Sequence, residues 1–474
     1  MQPQRVSGRL GSKKTKTGCL TCRNFALSRQ RSAIRARKPD RPAANVDCQL
    51  RIFEGSDEER QLFEYFRKRV VFQLSGFLDE DFWITTLLQV SHSVPSVRRL
   101  AIAIAAYIGE HDRHSRTTMH QRSWNASLKY YQNALCKANR YTESADQELV
   151  AILSCPLFLC MEFLQGKKLQ AMSFFLHGYL LVRTFQEQNS RNSAISRCAV
   201  IYESLGPVYN RLMMMAKLFG HSFPTDYSNL AFLPGPNPTP STFNNLKDAR
   251  DLLFHHLVIS HEFVKRLNST TCTPFSLHEH YLQRQEELLI QLDIWNSNFK
   301  QMCESFDDSD RAVIATLSMW HAAAVIWLRN PFEGFEMSFD ESLDCFQVIL
   351  EKANEALATR QQVHDVFTFG MGVLPPLYFT SLKCRHFSLR KEAIRLMGEG
   401  PRREGLWDRE ELITVASQAL ALETADQSDI ASLPAEYERL IKVKIFQQDA
   451  GCRLKAAFIY RDHKVEQVWN KIRQ

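Results

Sequence analysis

For most of its length this chain repeats apolar residues at three- and four-residue steps, and that period leaves little choice of architecture. Between Ser56 and about residue 430, the segments 94–108, 125–138, 146–164, 168–187 and 194–217 each carry an apolar stripe along one helical face. A second set follows at 243–266, 276–299, 308–328 and 340–362. Alternating runs of the kind a half-buried strand needs are nearly absent from this stretch. Each striped helix must cover its stripe with another, so the expected fold is mainly α, a large all-helical body. At 474 residues the chain is long enough for one large core or for two to three ordinary domains.

The ends of the body are marked locally. Ser-Asp-Glu-Glu at 56–59 is a capping box, in which the Ser56 hydroxyl and the Glu59 carboxylate satisfy each other's backbone N–H, and Leu62, Phe66 and Val70 then recur at helical spacing. Residues 1–55 hold few apolar residues and no lasting period, which predicts a disordered tail with a short helix near 24–37. Four prolines within residues 234–240 require a loop at 234–241, which divides the helical body into 56–233 and 242–474. Near the C-terminus the period changes. Ile441, Val443 and Ile445 alternate with Lys442 and Lys444, and Leu454, Ala456, Phe458 and Tyr460 repeat the pattern beyond a Gly-containing loop. This predicts a small β-hairpin near 440–461 with its Lys and Arg facing solvent.

Charge is unevenly placed. Residues 1–50 hold 12 Lys/Arg against two Asp/Glu, a net of +10, so the formal +7 of the whole chain resides in the tail and the remainder carries −3. Such a tail suits nucleic acid or a nuclear import receptor, and KKTK at 13–16 and RARKPDR at 35–41 are clusters of the import type. The twelve cysteines are scattered through helical text, and no secretory leader precedes them, which predicts reduced, buried thiols and unused sequons at Asn125 and Asn268. The longest apolar run, 100–108, is nine residues and too short to span a bilayer, so a soluble protein with no membrane partner is expected.

Within the tail, KKTKTGCLTCR at 13–23 places Cys19 and Cys22 two residues apart, a spacing at which two thiolates reach one metal. The stretch resembles the opening of the fungal binuclear zinc-cluster DNA-binding module, whose pattern has six cysteines. The third would fall at position 29, where this chain has Arg29; NFALS occupies 24–28, and the next cysteine is Cys48. Two thiolates do not close a tetrahedral site. Either the message carries a misread exon boundary after Arg23 or the protein has lost its cluster. No cofactor is expected for the chain as it stands; zinc is expected only if the true transcript restores the missing cysteines.

The helical text extends the resemblance. Residues 63–106, with an acidic-Phe-Trp step at 81–83 and Leu-Gln-x-Ser-His at 88–92, are similar to the start of the fungal-specific transcription factor domain. Residues 155–178 look like its next helix pair, with Glu162, Gly166, His177 and Gly178 in register. Residues 374–408 are the most specific match, with Pro375, Pro376, Cys384, Arg385, Arg390, Ala393, Glu404, Gly405 and Trp407 placed as in similar regulators. The resemblance implies a nuclear transcription regulator with a DNA-binding head, a linker and a large helical regulatory domain. Physical chemistry gives most of these residues structural work. Phe82, Trp83 and Trp407 suit core anchors. Pro375 and Pro376 suit a helix start near Leu377, and Arg385 and Arg390 suit pairing with Glu392 or Glu404 or capping of carbonyls. His92 and His177 read as ordinary core or surface histidines.

No nucleophile elbow, zinc-protease motif, P-loop or dinucleotide fingerprint occurs, and the pair His111 and His114 lacks a third ligand, so no enzyme is expected. The expected function is transcription regulation with a truncated DNA-binding head, the alternative being a helical scaffold that pairs with other regulators without touching DNA. Lys13, Lys14, Lys16, Arg23, Arg29, Arg31, Arg35, Arg37 and Lys38 are the candidates for DNA-phosphate contact. That contact would be weak and non-specific, because phosphates position a protein without reading sequence. A second copy of the chain, other regulators and a small-molecule effector held between helices complete the expected partners. The ligand count also makes a prediction. Purified chain dialysed against buffer is expected to hold far less than one equivalent of zinc by atomic emission, with the same residual amount in Cys19→Ser.

Overall fold

The computed structural model describes residues 55–78, 81–114, 145–189, 199–218, 243–269, 279–304, 308–332, 335–359, 367–425, 433–447, 453–462 and 465–471, with 233 and 306. The basic tail with all of its candidate residues, the helix expected at 125–138 and the Pro-rich loop lie outside them.

The helical body begins at the expected cap. The Ser56 hydroxyl accepts from the Glu59 N–H at 3.2 Å, and the Glu59 carboxylate accepts from the Ser56 N–H at 2.9 Å. Helix α1 (Asp57–Tyr65) continues through a π turn (Phe66–Val70) into α2 (Val71–Ser75), burying Phe66, Val70 and Leu74. A second π segment (Asp81–Leu87) buries Phe82 and Trp83 and leads into α3 (Leu88–Ser93). Helix α4 (Pro95–His114) packs against α1, α3 and α5 (Ala145–Leu164). Its alternation of Ala with Ile at 101–105 is buried throughout, and the small residues let neighbouring helices come close. Helices α5 and α6 (Lys168–Asn189) form a hairpin whose turn includes Gly166 at φ +72°, and α7 (Ala199–Leu218) packs on α6.

The second set of helices surrounds α10. Helices α8 (Leu246–Ser269), α9 (Glu279–Cys303) and α11 (Leu343–Thr359) all pack on α10 (Arg311–Arg329), most extensively α11. Length and composition alone would let α10 cross a membrane, but 72% of its apolar window is buried inside the body, as befits a core helix. A 3-10 turn (Glu336–Ser342) precedes α11. Helices α12 (Leu374–Lys383), α13 (Phe387–Glu399) and α14 (Arg409–Thr424) close the body. One apolar core joins both sets of helices, from Phe63 to Tyr460.

Two small sheets complete the fold. In the first, β1 (Phe367–Thr368) lies parallel to β2 (Arg403–Glu404), which pairs antiparallel with β3 (Trp407–Asp408). These two-residue strands are too short to show a period in sequence. The second corrects the expected hairpin. Strands β4 (Leu440–Gln447) and β5 (Arg453–Tyr460) pair as predicted, but β6 (Val465–Lys471) adds a third antiparallel strand on the far side of β5. Its sequence, Val-Glu-Gln-Val-Trp-Asn-Lys, does not alternate, so pairing with β5 rather than its own pattern makes it a strand. Helix α12 also starts earlier than expected, at Leu374, with both prolines in its first turn, where a missing N–H costs nothing.

Glycine decides how closely α6 and α7 approach. A Cβ on Gly178 would fall on the Tyr209 hydroxyl and 2.8 Å from the Cys155 Cβ. The Tyr209 hydroxyl is buried and has no hydrogen-bond partner among the described residues. Gly178→Ala is therefore expected to destabilise the protein by about 1–3 kcal/mol through overpacking. Adding Tyr209→Phe, which removes the clashing oxygen, is expected to recover much of that loss in thermal denaturation.

Candidate functional site

The residues that carry the most specific part of the resemblance converge on one corner of the body, where α12, α13 and α14 meet both sheets. Gly405 turns the chain between β2 and β3 at φ +54°, a conformation that L side chains rarely adopt, and a Cβ there would strike the Met215 sulfur. Its N–H donates to the Thr368 carbonyl at 2.9 Å. Trp407 is buried beside Tyr378, ring centroids 6.0 Å apart. Asp408 caps α14, accepting from the N–H groups of Glu410 at 3.1 Å and Glu411 at 3.2 Å, and pairs with Arg403 at 2.6 Å.

Glu404 does not pair with either arginine. Its fully buried carboxylate accepts from the N–H groups of Gly372 (2.8 Å), Val373 (3.0 Å) and Leu374 (3.0 Å). These are orphan donors at the start of α12, whose N-cap residue, Val373, has no side-chain acceptor to offer. Burial pushes the Glu404 carboxyl up to about 7, against the pull of the three N–H donors. Trp320 holds the same turn from the other side, donating from Nε1 to the Gly372 carbonyl at 3.0 Å.

The arginines meet partners from distant segments. Arg385 donates to Glu336 at 2.8 Å and lies 3.3 Å from Glu423, which Arg390 reaches at 2.6 Å. Glu423 also accepts from the Leu440 N–H at 2.6 Å, and Arg385 donates to the Leu440 carbonyl at 3.1 Å, so the first residue of β4 is held on both its backbone groups. Lys383 bridges Glu336 at 2.6 Å and the Ile441 carbonyl at 3.0 Å. Arg439 forks onto Asp340 at 2.9 and 2.7 Å and donates to the Glu336 carbonyl at 3.0 Å. Glu392, the other expected partner, pairs with Arg395 on the exposed face of α13. The expected capping of carbonyls is met, Arg390 donating to the Ser381 carbonyl at 2.8 Å and Arg385 to that of Leu440. The expected acid pairings failed because a helix-local search favours near neighbours, whereas the acids that reach Arg385 come from 49 and 38 residues away. One sequence signal was available. Glu423 continues the stripe Ala416, Ala419, Leu420 of α14, and a carboxylate on a buried stripe needs a partner.

Two further buried pairs tie early helices to late ones. Lys168 at the start of α6 meets Glu411 of α14 at 2.6 Å. Arg250 of α8 bridges Asp81 at 2.9 Å and Asp251 at 2.8 Å. Burial would push Asp81 up, but the Arg250 guanidinium outweighs it and holds the carboxyl at about 2.

None of these groups is arranged for bond-making chemistry. The networks join cations to carboxylates with no nucleophile between them. Burial pushes the thiols up, to about 12 for Cys155 and about 11 for Cys303, Cys345 and Cys384, so they stay protonated. These four and Cys160, the cysteines among the described residues, are free, as expected. His92 and His177 are exposed, His92 edge-on to the Phe63 ring at 5.2 Å. Among the described residues no group of His, Cys, Asp or Glu could hold a metal ion.

Comparison with curated proteins finds the aspercryptin biosynthesis cluster-specific transcription regulator of Emericella nidulans, 20% identical over 527 aligned positions that cover 90% of this chain and 84% of the relative. No family model matches the chain. No solved structure matches it.

The raised Glu404 carboxyl makes stability depend on pH. Between the usual carboxyl value, 4.5, and about 7, the folded chain keeps a proton that the unfolded chain has released. Folding is therefore favoured most below this window, and the contribution is lost as pH rises through it, by up to about 1.4 kcal/mol per unit. Glu404→Gln is expected to be less stable than the native chain, since an amide NH2 would face backbone donors. The gap between the two in chemical denaturation is expected to narrow from pH 5 to pH 7.

Proposed function

We propose that this chain is a fungal transcription regulator of the zinc-cluster class, with an intact helical regulatory domain and a truncated DNA-binding head. The observation that carries this reading is the similarity to a transcription regulator along nine-tenths of the chain rather than over one motif. The basic tail, net +10 over residues 1–50 and opening with KKTKTGCLTCR, supports it from the other end. On this reading the protein works in the nucleus and is not an enzyme. The helical body senses a partner or a small-molecule effector and recruits other regulators. Lys13, Lys14, Lys16, Arg23, Arg29, Arg31, Arg35, Arg37 and Lys38 neutralise DNA phosphates and release their counterions. With Cys19 and Cys22 alone, no closed metal site holds a recognition helix against base edges.

Arg29 in place of the third cysteine favours a second reading, a modulator that pairs with other regulators and leaves DNA to them. Fluorescence anisotropy separates the two. The full chain is expected to bind a random duplex and a CGG-containing duplex equally, the triplet being the one read by the class it resembles. Affinity is expected to fall steeply with salt, and to drop about tenfold or more when Lys13, Lys14 and Lys16 are replaced by Ala. Preference for CGG would show an intact reading head. No binding to either duplex at low salt would favour the modulator.

A further inference from the structure

The charge of the folded body is itself divided. Residues 440–474 hold eight Lys/Arg against three Asp/Glu, a net of +5, whereas residues 51–439 carry −8. The C-terminal sheet is therefore a basic element mounted on an acidic helical body. Its register sorts its residues onto two faces. Val443, Ile445, Phe458 and Val468 pack towards the core. On the other face Lys442 stands opposite Ile459, Lys444 opposite Ala457, and Phe446 opposite Lys455. Lys442, Lys444 and Phe446 are exposed, Phe446 to 42%, and Val465 beyond Ile459 is exposed to 49%. The Lys455 ammonium lies 5.7 Å from the centre of the Phe446 ring.

Lysines along an edge strand also guard against edge-to-edge aggregation, which would account for Lys442 and Lys444 on β4. That explanation does not cover Lys455, which is on the central strand. It also fails for an exposed phenyl ring on the edge itself, which such protection would remove. An open aromatic ring set among ammonium groups suits a single-stranded nucleic acid. Lys442 and Lys444, roughly 6–7 Å apart along β4, meet successive phosphates with Lys455 beside them on β5, and the ring receives an unstacked base. A duplex keeps its bases stacked and leaves the ring unused. The acidic body repels a polyanion elsewhere and confines it to this face.

We infer that the outer face of the C-terminal sheet, built on Lys442, Lys444, Lys455 and Phe446, binds single-stranded nucleic acid. This surface is separate from the tail and stands or falls independently of the tail's role.

The test is anisotropy with fluorescein-labelled oligo-dT of about 20 nucleotides and the full-length chain. A variant carrying Lys442→Glu, Lys444→Glu and Lys455→Glu is expected to bind tenfold or more weakly, with a flatter dependence on salt. Phe446→Ala is expected to lose about fivefold or more on oligo-dT and to leave duplex binding unchanged. Circular dichroism and thermal denaturation check folding. If the triple variant is damaged, Lys442→Gln with Lys444→Gln, both at exposed edge positions, takes its place with a several-fold loss expected. A folded charge variant that binds oligo-dT within twofold of the native chain would overturn the inference. It would also fall if Phe446→Ala bound normally while duplex or poly-glutamate displaced oligo-dT as well as unlabelled oligo-dT does, because the face would then be an unselective cationic patch. Loss on Lys13, Lys14 and Lys16 replacement alone refutes the sheet surface and leaves the tail reading. Loss of oligo-dT binding on the sheet variants alone supports the sheet surface, and the tail is judged by its own duplex test.

Discussion

Glu423 lies fully buried between Arg385 and Arg390 and accepts from the Leu440 N–H, so three segments of the chain meet on one carboxylate. A buried carboxylate is tolerated only when its charge is opposed and its lone pairs are used. Both conditions are met here by groups that only the complete fold brings together. Arg385 extends the same logic to Glu336, and Lys383 and Arg439 extend it to Ile441, Asp340 and the Glu336 carbonyl. The result fixes where β4 begins and how the C-terminal sheet sits on the helices. Removing one member of such a network leaves the others buried and unopposed, which is why a network of this kind behaves as a unit.

The neighbouring corner solves a different problem with the same economy. Two prolines start α12 cleanly but supply no cap, and Glu404 arrives from β2 to accept from three N–H groups at once. Glu404 can arrive only because Gly405 turns tightly beneath Met215 and Phe369. Trp407 and Asp408 then carry the chain into α14. The short run from Glu404 to Asp408 thus joins a cap, a turn, a core anchor and a second cap within five residues.

Charge is organised on a larger scale than any of these pairs. The acidic helical body lies between two basic elements, the N-terminal tail and the C-terminal sheet. Inside the body, charges are matched in buried pairs such as Lys168–Glu411 and Arg250–Asp81, which join early helices to late ones. At its ends, residues 1–50 and 440–474, the basic residues outnumber the acids, by ten and by five.

Helix-period text fixed the class of fold, the cap at Ser56 and the burial of Phe82, Trp83 and Trp407, because these depend on residues a turn or two apart. The alternation at 441–445 and 454–460 likewise announced β4 and β5. The same local reasoning could not find β6, whose residues do not alternate, or the two-residue strands, which are shorter than any period. It named Arg385, Arg390 and Glu404 as residues of consequence and rightly expected the arginines to cap carbonyls, as they do at Leu440 and Ser381, but it assigned them the wrong acids. An ion pair is chosen by distance in space, and the acids that meet Arg385 lie 49 and 38 residues away along the chain. The sequence by itself determined which faces must be buried and which segments carry charge. The tertiary structure alone decided which buried charge meets which, because low-dielectric pairing rewards contact and takes no account of separation along the chain.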